Sequence, residues 1–178
     1  MGADEGRAAL DVGGHPLDWL RDVPDVASRL RRQPPNRVLV LGCGTGVDAL
    51  DLALAFPNIS VYGVDEDAAA VEQASAAAAH SHARERVLFL VGDVLAPRVR
   101  MAPDVVVAAG LLTDDTRAAG PGVMALLATL ARMLGPGGLA VLDSPVPLQH
   151  STAQAAGFSG LEEIGVSVHG CPAYLLRR

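Results

Sequence analysis

The sequence contains no lysine, so all 14 of its basic residues are arginine. Without a lysine, Schiff-base chemistry and a phosphate-loop lysine are both excluded. Cysteine is scarce as well, and two cysteines offer neither a disulfide framework nor a zinc cluster. A net charge of −6 with only 3% aromatic residues argues against non-specific binding of nucleic acid. We therefore expect no nucleic-acid partner and no bound metal.

Long hydrophobic runs are also missing, although half of the residues are apolar. No apolar stretch approaches the length of a membrane span, and the first residues lack the basic-then-apolar pattern of a signal peptide. We therefore expect a cytoplasmic protein with no membrane partner. At 178 residues the chain is most simply one domain, long enough to bury a substantial core without covalent staples.

The most informative segment is 37–48, which reads RVLVLGCGTGVD. Its apolar half is typical of a buried parallel strand, because no polar alternation marks a solvent face. Gly42, Gly44 and Gly46 then allow a tight turn and a close approach of the backbone to a ligand. A helix that begins directly after this loop would direct unpaired N–H groups at that ligand. Cys43, inside the loop, is predicted to be a small packed side chain and not a nucleophile.

Apolar runs alternate with helical patterns from residue 37 onward. The predicted strands are Val38–Leu41, Ser60–Val64, Val87–Val91, Asp104–Ala109 and Leu139–Asp143. The predicted helices are Val47–Phe56, Asp67–Arg84 and Gly122–Leu134. This alternation predicts an α/β fold in which helices cover both faces of a parallel sheet. Ligands of such sheets bind beyond the carboxyl ends of the strands.

The two ends of the chain depart from this alternation. Leu161–His169 and Cys171–Leu176 have strand character and are separated by a single glycine. Strands joined this closely must be antiparallel, because a parallel crossover needs about a dozen residues or more. At the other end, residues 1–36 are predicted to be a short N-terminal cap segment with one amphipathic stretch at Pro16–Leu30. The main domain is predicted to be 37–178.

Acidic residues follow the second and third predicted strands. Asp65 closes the second strand, 19 positions after Gly46, and a carboxylate there can accept both hydroxyls of a ribose. Gly92-Asp93-Val94 follows the third strand, where Asp93 can accept from an exocyclic amine and Val94 can pack on a base. The G-x-G-x-G spacing differs from the G-x-G-x-x-G of nicotinamide enzymes. These features together predict a nucleoside-containing ligand.

In order and spacing these motifs resemble the class I S-adenosylmethionine-dependent methyltransferases. The motifs are LGCGTG, VYGVD, GDV, PDVVVAAGLL and LGPGGLAVLD, and the resemblance runs from residue 37 to the C-terminus. It implies a Rossmann-like three-layer sandwich with a mostly parallel seven-stranded sheet in the order 3-2-1-4-5-7-6, closed by an antiparallel C-terminal hairpin. It also implies transfer of a methyl group from S-adenosyl-L-methionine.

The resemblance further implies which residues contact S-adenosylmethionine. The cofactor-binding residues it predicts are Gly42, Cys43, Gly44, Asp65, Glu66, Asp93, Val94 and Ala109. Gly42 and Gly44 would approach the methionine moiety, Asp65 the ribose, and Asp93 with Val94 the adenine. Ala109, with Gly110 after it, would border the methyl group. The sequence departs from the family at two positions. Val40 stands where family members often have an acidic residue, and Glu66 stands where they often have an apolar residue.

The acceptor side carries weaker motifs, and no catalytic residue is predicted. The fourth strand is followed by Ala108-Ala109-Gly110-Leu111, without the N/D-P-P-Y motif of enzymes that methylate amides and adenine. His150, after the fifth strand, is the first candidate for mutation. His15 and the pair Asp114 and Asp115 are further candidates, although a plain surface position explains both histidines better and a helix cap explains the aspartates better. We therefore expect a small-molecule methyl acceptor.

Two alternatives remain open at this point. One is an aminopropyl transferase of the same fold, which shares the apolar residue at Val40 but normally carries a catalytic aspartate at the end of the fourth strand. The other is a non-catalytic binding or partner module that keeps the fold. The sparse acceptor side fits the second alternative, and the full set of ribose- and adenine-facing residues speaks against it.

Overall fold

The computed structural model describes residues 16–32, 36–112, 120–167 and 169–178. The strands within these ranges are β1 (Asn36–Leu41), β2 (Ile59–Asp65), β3 (Val87–Val91), β4 (Val105–Ala108), β5 (Leu139–Asp143), β6 (Gly160–Val166) and β7 (Pro172–Arg177). The helices are α1 (Pro16–Asp22), α2 (Pro24–Leu30), α3 (Val47–Ala55), α4 (Ala68–Ala79), α5 (Gly120–Met133) and α6 (His150–Ala155). None of these helices combines the length and the apolar character needed to cross a membrane.

The strands form one sheet in the order β3-β2-β1-β4-β5-β7-β6, as the resemblance implied. Strands β1 to β5 are parallel, and β7 is antiparallel to both β5 and β6. The start of β7 pairs with the end of β5, through Ala173 and Asp143. The turn between β6 and β7 therefore lies at the same edge of the sheet as the ends of the parallel strands. We call this edge the carboxyl edge.

The sheet is covered on both faces, and successive residues of β1 show how. Val38 and Val40 point into a core layer that contains residues of α2, α3 and α4, whereas Leu39 and Leu41 point into a second layer that contains α5 and α6. All four side chains are buried. An unbroken apolar run is thus what a parallel strand between two helix layers requires. Removing such a side chain from water stabilises the fold by about 1.5–3 kcal/mol.

The described part of the N-terminal segment forms two short helices where one amphipathic stretch was predicted. Pro24, which occupies the first turn of α2, favours a new helix start there. Arg29 of α2 forms an ion pair with Asp104 before β4, at 3.2 Å, and Asp25 forms one with Arg177 at the end of β7, at 2.6 Å. Helix α2 therefore contacts the edge opposite to the carboxyl edge. Residues 1–15 lie outside the described residues, so the N-terminal cap segment stays a prediction.

The predicted elements are found, with small shifts at their ends. Helix α4 ends at Ala79 and not at Arg84, because the Ser81 side chain accepts from the N–H of Ala83 at 3.0 Å and stabilises a turn instead. After this turn Arg86 reaches back to three carbonyl groups at the end of α3 and the start of β2. This contact holds the ends of two elements together. Strand β6 ends at Val166, three residues before the predicted end.

Candidate functional site

The three glycines of the first loop have different surroundings. Gly42, Gly44 and Gly46 all have positive φ, at 69°, 50° and 80°. A Cβ at Gly42 would lie 2.5 Å from Cδ2 of Leu111, and one at Gly46 would lie 2.6 Å from the ring of Phe89. At Gly44 no atom lies within 4 Å of that position. The outer glycines are needed for packing as well as for conformation, and the middle one faces open space.

Asp65, at the end of β2, is hydrogen-bonded directly to this loop. Its Oδ2 accepts a hydrogen bond from the N–H of Gly44 at 2.7 Å, and its Oδ1 accepts one from the N–H of Asp67 at 2.9 Å. The N–H of Gly42 donates to the carbonyl of Val64 at 2.8 Å. The end of β2 therefore fixes the loop after β1. Each carboxylate oxygen retains a second lone pair, so the half-buried Asp65 can still accept from ribose hydroxyls.

Cys43 is a packed thiol, as predicted. It is 7% exposed, and its Sγ would lie 2.8 Å from a Cβ at Gly63 of the neighbouring strand. Burial, and to a smaller extent the charge of Asp65, raises the pKa of the thiol to about 12. Because the thiolate is the nucleophilic form, Cys43 is chemically inert at neutral pH.

The other predicted cofactor residues at this side lie at the carboxyl edge with different exposures. Asp93 is exposed, and its Oδ1 accepts from the N–H of Leu95 at 2.8 Å, which stabilises the turn after β3. Val94 is 2% exposed and belongs to the core layer of α5, and Glu66 is exposed. Their contacts with adenine stay predictions. Val40 is a buried core residue.

A second group of residues meets where β4, β5 and the turn between β6 and β7 end. The N–H of Gly110, which follows Ala109, donates to Oδ1 of Asp143 at 2.7 Å. Asp143 is 1% exposed, and its Oδ2 has no hydrogen-bond partner among the described residues. A Cβ at Gly110 would lie 2.9 Å from Nε2 of His169, so the imidazole covers this glycine. The group lies beside the predicted methyl position at Ala109.

The sequence reasoning missed His169. The available signal was the predicted hairpin, because a hairpin that follows β5 in antiparallel pairing must place its turn at the carboxyl edge. His150, the first candidate from the sequence, is exposed at the start of α6. His15, Asp114 and Asp115 lie outside the described residues.

A basic cavity of about 350 Å³ lies at the opposite edge of the sheet. Two of its arginines are paired: Arg29 with Asp104 at 3.2 Å, and Arg177 with Asp25 at 2.6 Å and with Glu162 at 2.7 Å. These carboxylates compensate much of the positive charge, so the cavity is not an evident anion site. In the part of the chain that the structure describes, no cluster of His, Cys, Asp or Glu is arranged to hold a metal ion.

The strand order, the antiparallel hairpin and the glycine loop bonded to Asp65 define the class I methyltransferase fold. A family model described as a methyltransferase domain matches residues 38–138, and the chain belongs to this family. The resemblance seen in the sequence is thereby confirmed. S-Adenosylmethionine is the methyl donor of class I methyltransferases.

Individual relatives are more distant. The chain is 28% identical over 132 residues to trans-aconitate 2-methyltransferase of Methylobacterium radiotolerans, and this alignment covers 74% of this chain and 46% of that protein. It is 43% identical over 61 residues to a tRNA1(Val) (adenine(37)-N6)-methyltransferase of Porphyromonas gingivalis, covering 34% of this chain and 24% of the relative. The chain thus spans less than half the length of both. CalS10, an amino pentose methyltransferase from Micromonospora echinaspora solved with bound S-adenosylmethionine, superposes with a TM-score of 0.60 at 20% identity, covering 90% of this chain and 91% of CalS10.

Proposed function

We propose that this protein binds S-adenosylmethionine at the carboxyl edge and transfers its methyl group to a small-molecule acceptor. The observation that carries the proposal is the bond between Asp65 and the glycine loop, with open space at Gly44. In this arrangement the Asp65 carboxylate accepts from the ribose hydroxyls, and the backbone of the glycine loop approaches the methionine moiety closely. The solved CalS10, which shares the fold, has S-adenosylmethionine bound.

The charges of this edge also suit the cofactor. Asp65 ends β2, Asp93 follows β3 and the buried Asp143 ends β5, so three carboxylates lie along this edge of the sheet. S-Adenosylmethionine carries a positive sulfonium and a positive amino group, and a site of opposite charge attracts such a ligand. When bound, the cofactor supplies an activated methyl group. The surrounding residues then have to orient the acceptor and exclude water.

Three observations support a small-molecule acceptor. The segment after β4, Ala108-Ala109-Gly110-Leu111, lacks the N/D-P-P-Y motif of adenine-methylating enzymes. The segment from β5 to β6 holds only the short helix α6, which offers little surface to a folded substrate. By their names, the trans-aconitate and amino pentose methyltransferases act on small molecules. The likeness to the tRNA methyltransferase covers only a third of this chain.

Calorimetry with S-adenosylmethionine and S-adenosylhomocysteine tests the cofactor, and no binding of either would refute the proposal. The acceptor is then sought with a donor that carries a tritiated methyl group and a panel of small alcohols, phenols, amines and carboxylic acids, with bulk tRNA as a separate arm. Label in a small molecule supports the proposal, and label in tRNA alone contradicts it. A preference for decarboxylated S-adenosylmethionine in competition favours the aminopropyl transferase instead.

A further inference from the structure

We propose that His169 is the base of the acceptor site, that it takes the proton of a hydroxyl acceptor, and that Asp143 is the positioning residue behind it. The inference rests on the proposed methyl transfer and adds the acceptor class and the residues that act on it. It is drawn from three features of the carboxyl edge: a fixed turn, a glycine beneath the imidazole, and a buried carboxylate.

The turn that carries His169 is built to hold it in place. Ser167 is 5% exposed, and its Oγ accepts from the N–H of His169 at 3.1 Å and from that of Cys171 at 3.4 Å. The N–H of Ser167 also donates to the carbonyl of Cys171 at 2.8 Å. One buried hydroxyl thus closes the turn from inside. The His169 side chain itself is exposed, so a ligand in the crevice can reach it.

Gly110 lies directly beneath the imidazole. Its φ of 73° is a conformation that favours glycine. A Cβ at this residue would lie 2.9 Å from Nε2 of His169, so a larger side chain would displace the ring. Gly110 also follows Ala109, the residue expected to border the methyl group. Nε2 therefore lies beside the end of β4, next to the residue at which the methyl group is expected.

Asp143 supplies a buried negative charge to the same place. The N–H of Gly110 donates to Oδ1 of Asp143 at 2.7 Å, and the Cβ position of the same residue lies 2.9 Å from Nε2 of His169. Because both contacts share Gly110, Nε2 of His169 lies within about 8 Å of Oδ1 of Asp143. Oδ2 has no partner among the described residues, so the hydrogen bond from Gly110 to Oδ1 is the one that this carboxylate accepts there. Burial, and after it the charge of Asp143, raises the pKa of the Cys171 thiol, which lies in the same turn as His169. A proton taken up by His169 in the proposed step places a positive charge within about 8 Å of this carboxylate, and opposite charges attract.

The proposed step balances as follows. The oxygen of the acceptor forms a bond to the methyl carbon while the bond from that carbon to sulfur breaks, and its electron pair stays on sulfur. The hydroxyl proton moves to Nε2 of His169, which becomes an imidazolium and later releases the proton to water. A hydroxyl acceptor has to lose its proton as it is methylated, so it needs such a base. A carboxylate has no proton to lose, and the charge of Asp143 repels it.

The placement of His169 is tested without an acceptor, by modification with diethyl pyrocarbonate and peptide mass spectrometry. S-Adenosylhomocysteine at ten times its Kd occupies about nine tenths of the sites and lies against one side of the imidazole, so labelling of His169 should slow about twofold or more while the acceptor side stays open. His80 and His82, at the far end of α4, serve as internal controls whose labelling should not change. Binding of S-adenosylhomocysteine with unchanged labelling of His169 overturns this inference and leaves the proposed function intact.

The base is tested with a hydroxyl compound from the acceptor panel. We expect His169→Gln to lower kcat about 100-fold or more with the Kd of S-adenosylhomocysteine unchanged, whereas the control His80→Gln keeps kcat. Asp143→Asn retains an oxygen for the N–H of Gly110 but not the charge, and should lower kcat about tenfold with KM unchanged. Circular dichroism checks the fold of each variant. Full activity of His169→Gln, or turnover of amines or carboxylates but of no hydroxyl compound, overturns the inference.

Discussion

Replacing Asp65 with alanine separates the structural role of this carboxylate from its role in binding. The substitution removes the acceptor of two backbone N–H groups, those of Gly44 at 2.7 Å and Asp67 at 2.9 Å. Hydrogen bonds to a charged group contribute about 1.5–3 kcal/mol each. Asp65 is only partly buried and water can replace it, so we expect the free energy of unfolding to fall by only about 1–2 kcal/mol.

The effect of Asp65→Ala on ligand affinity should be larger. The ribose of S-adenosylhomocysteine loses a charged acceptor, and the Gly44 loop loses its link to β2. Truncating one partner of such a bond costs about 2–4 kcal/mol, which raises Kd about 30- to 1,000-fold. Calorimetry measures Kd, and urea denaturation measures the free energy of unfolding of the same samples.

Asp67→Ala is the matched control for this experiment. Asp67 also accepts two backbone N–H groups, those of Ala69 at 2.9 Å and Ala70 at 3.3 Å, because it caps α4. Losing this cap costs about 1 kcal/mol of stability, comparable with the loss for Asp65→Ala. Its ligand affinity should stay within about twofold of the wild type. If Asp65→Ala binds as tightly as the wild type, or if both variants lose affinity equally, the ribose assignment is wrong.

Three further outcomes concern the residues around the site. Gly42→Ala should lower the free energy of unfolding by about 2–4 kcal/mol, because the added methyl group enters occupied space at a positive φ. Gly44→Ala adds a methyl group in open space and should cost only the backbone strain of about 1–2 kcal/mol. Equal losses for the two variants in urea denaturation would contradict this difference. Between the ordinary pKa of Cys43, 9.0, and its raised value of about 12, the unfolded chain releases a proton that the folded chain keeps. The free energy of unfolding should therefore fall as pH rises through this window, and Cys43→Ala should lack that part of the fall. Arg86→Met leaves three carbonyl groups without their donor and should cost about 2–3 kcal/mol, and a loss below 0.5 kcal/mol would refute the anchoring role.

Much of the fold was predictable because the signals are local. The apolar run of β1 indicates burial on both faces, and the structure confirms it with alternate residues in two core layers. The G-x-G-x-G spacing indicates a tight loop, and all three glycines have positive φ. The antiparallel hairpin follows from the short link between its strands. The end of α4 was predicted wrongly, because the competing hydrogen bond of Ser81 is decided by a single side chain.

The contacts within the site were not predictable in the same way. Gly42 is required partly by Leu111, Gly110 lies beneath His169, and both partners are distant in sequence. A pattern along the chain cannot show that Asp65 already accepts from Gly44, or that Asp143 is buried with one oxygen unpartnered. These facts depend on which strand ends become neighbours once the sheet has formed.

The sequence by itself determined the order of elements, the glycine loop and the acidic strand ends, since each rests on residues close together in the chain. It therefore identified the family and its cofactor. Only the tertiary structure placed His169 over Gly110, whose N–H donates to Asp143, because β7 inserts between β5 and β6 and brings their turn to the carboxyl edge. The acceptor side is built from that long-range arrangement, which is why the sequence identified the methyl donor more readily than the acceptor.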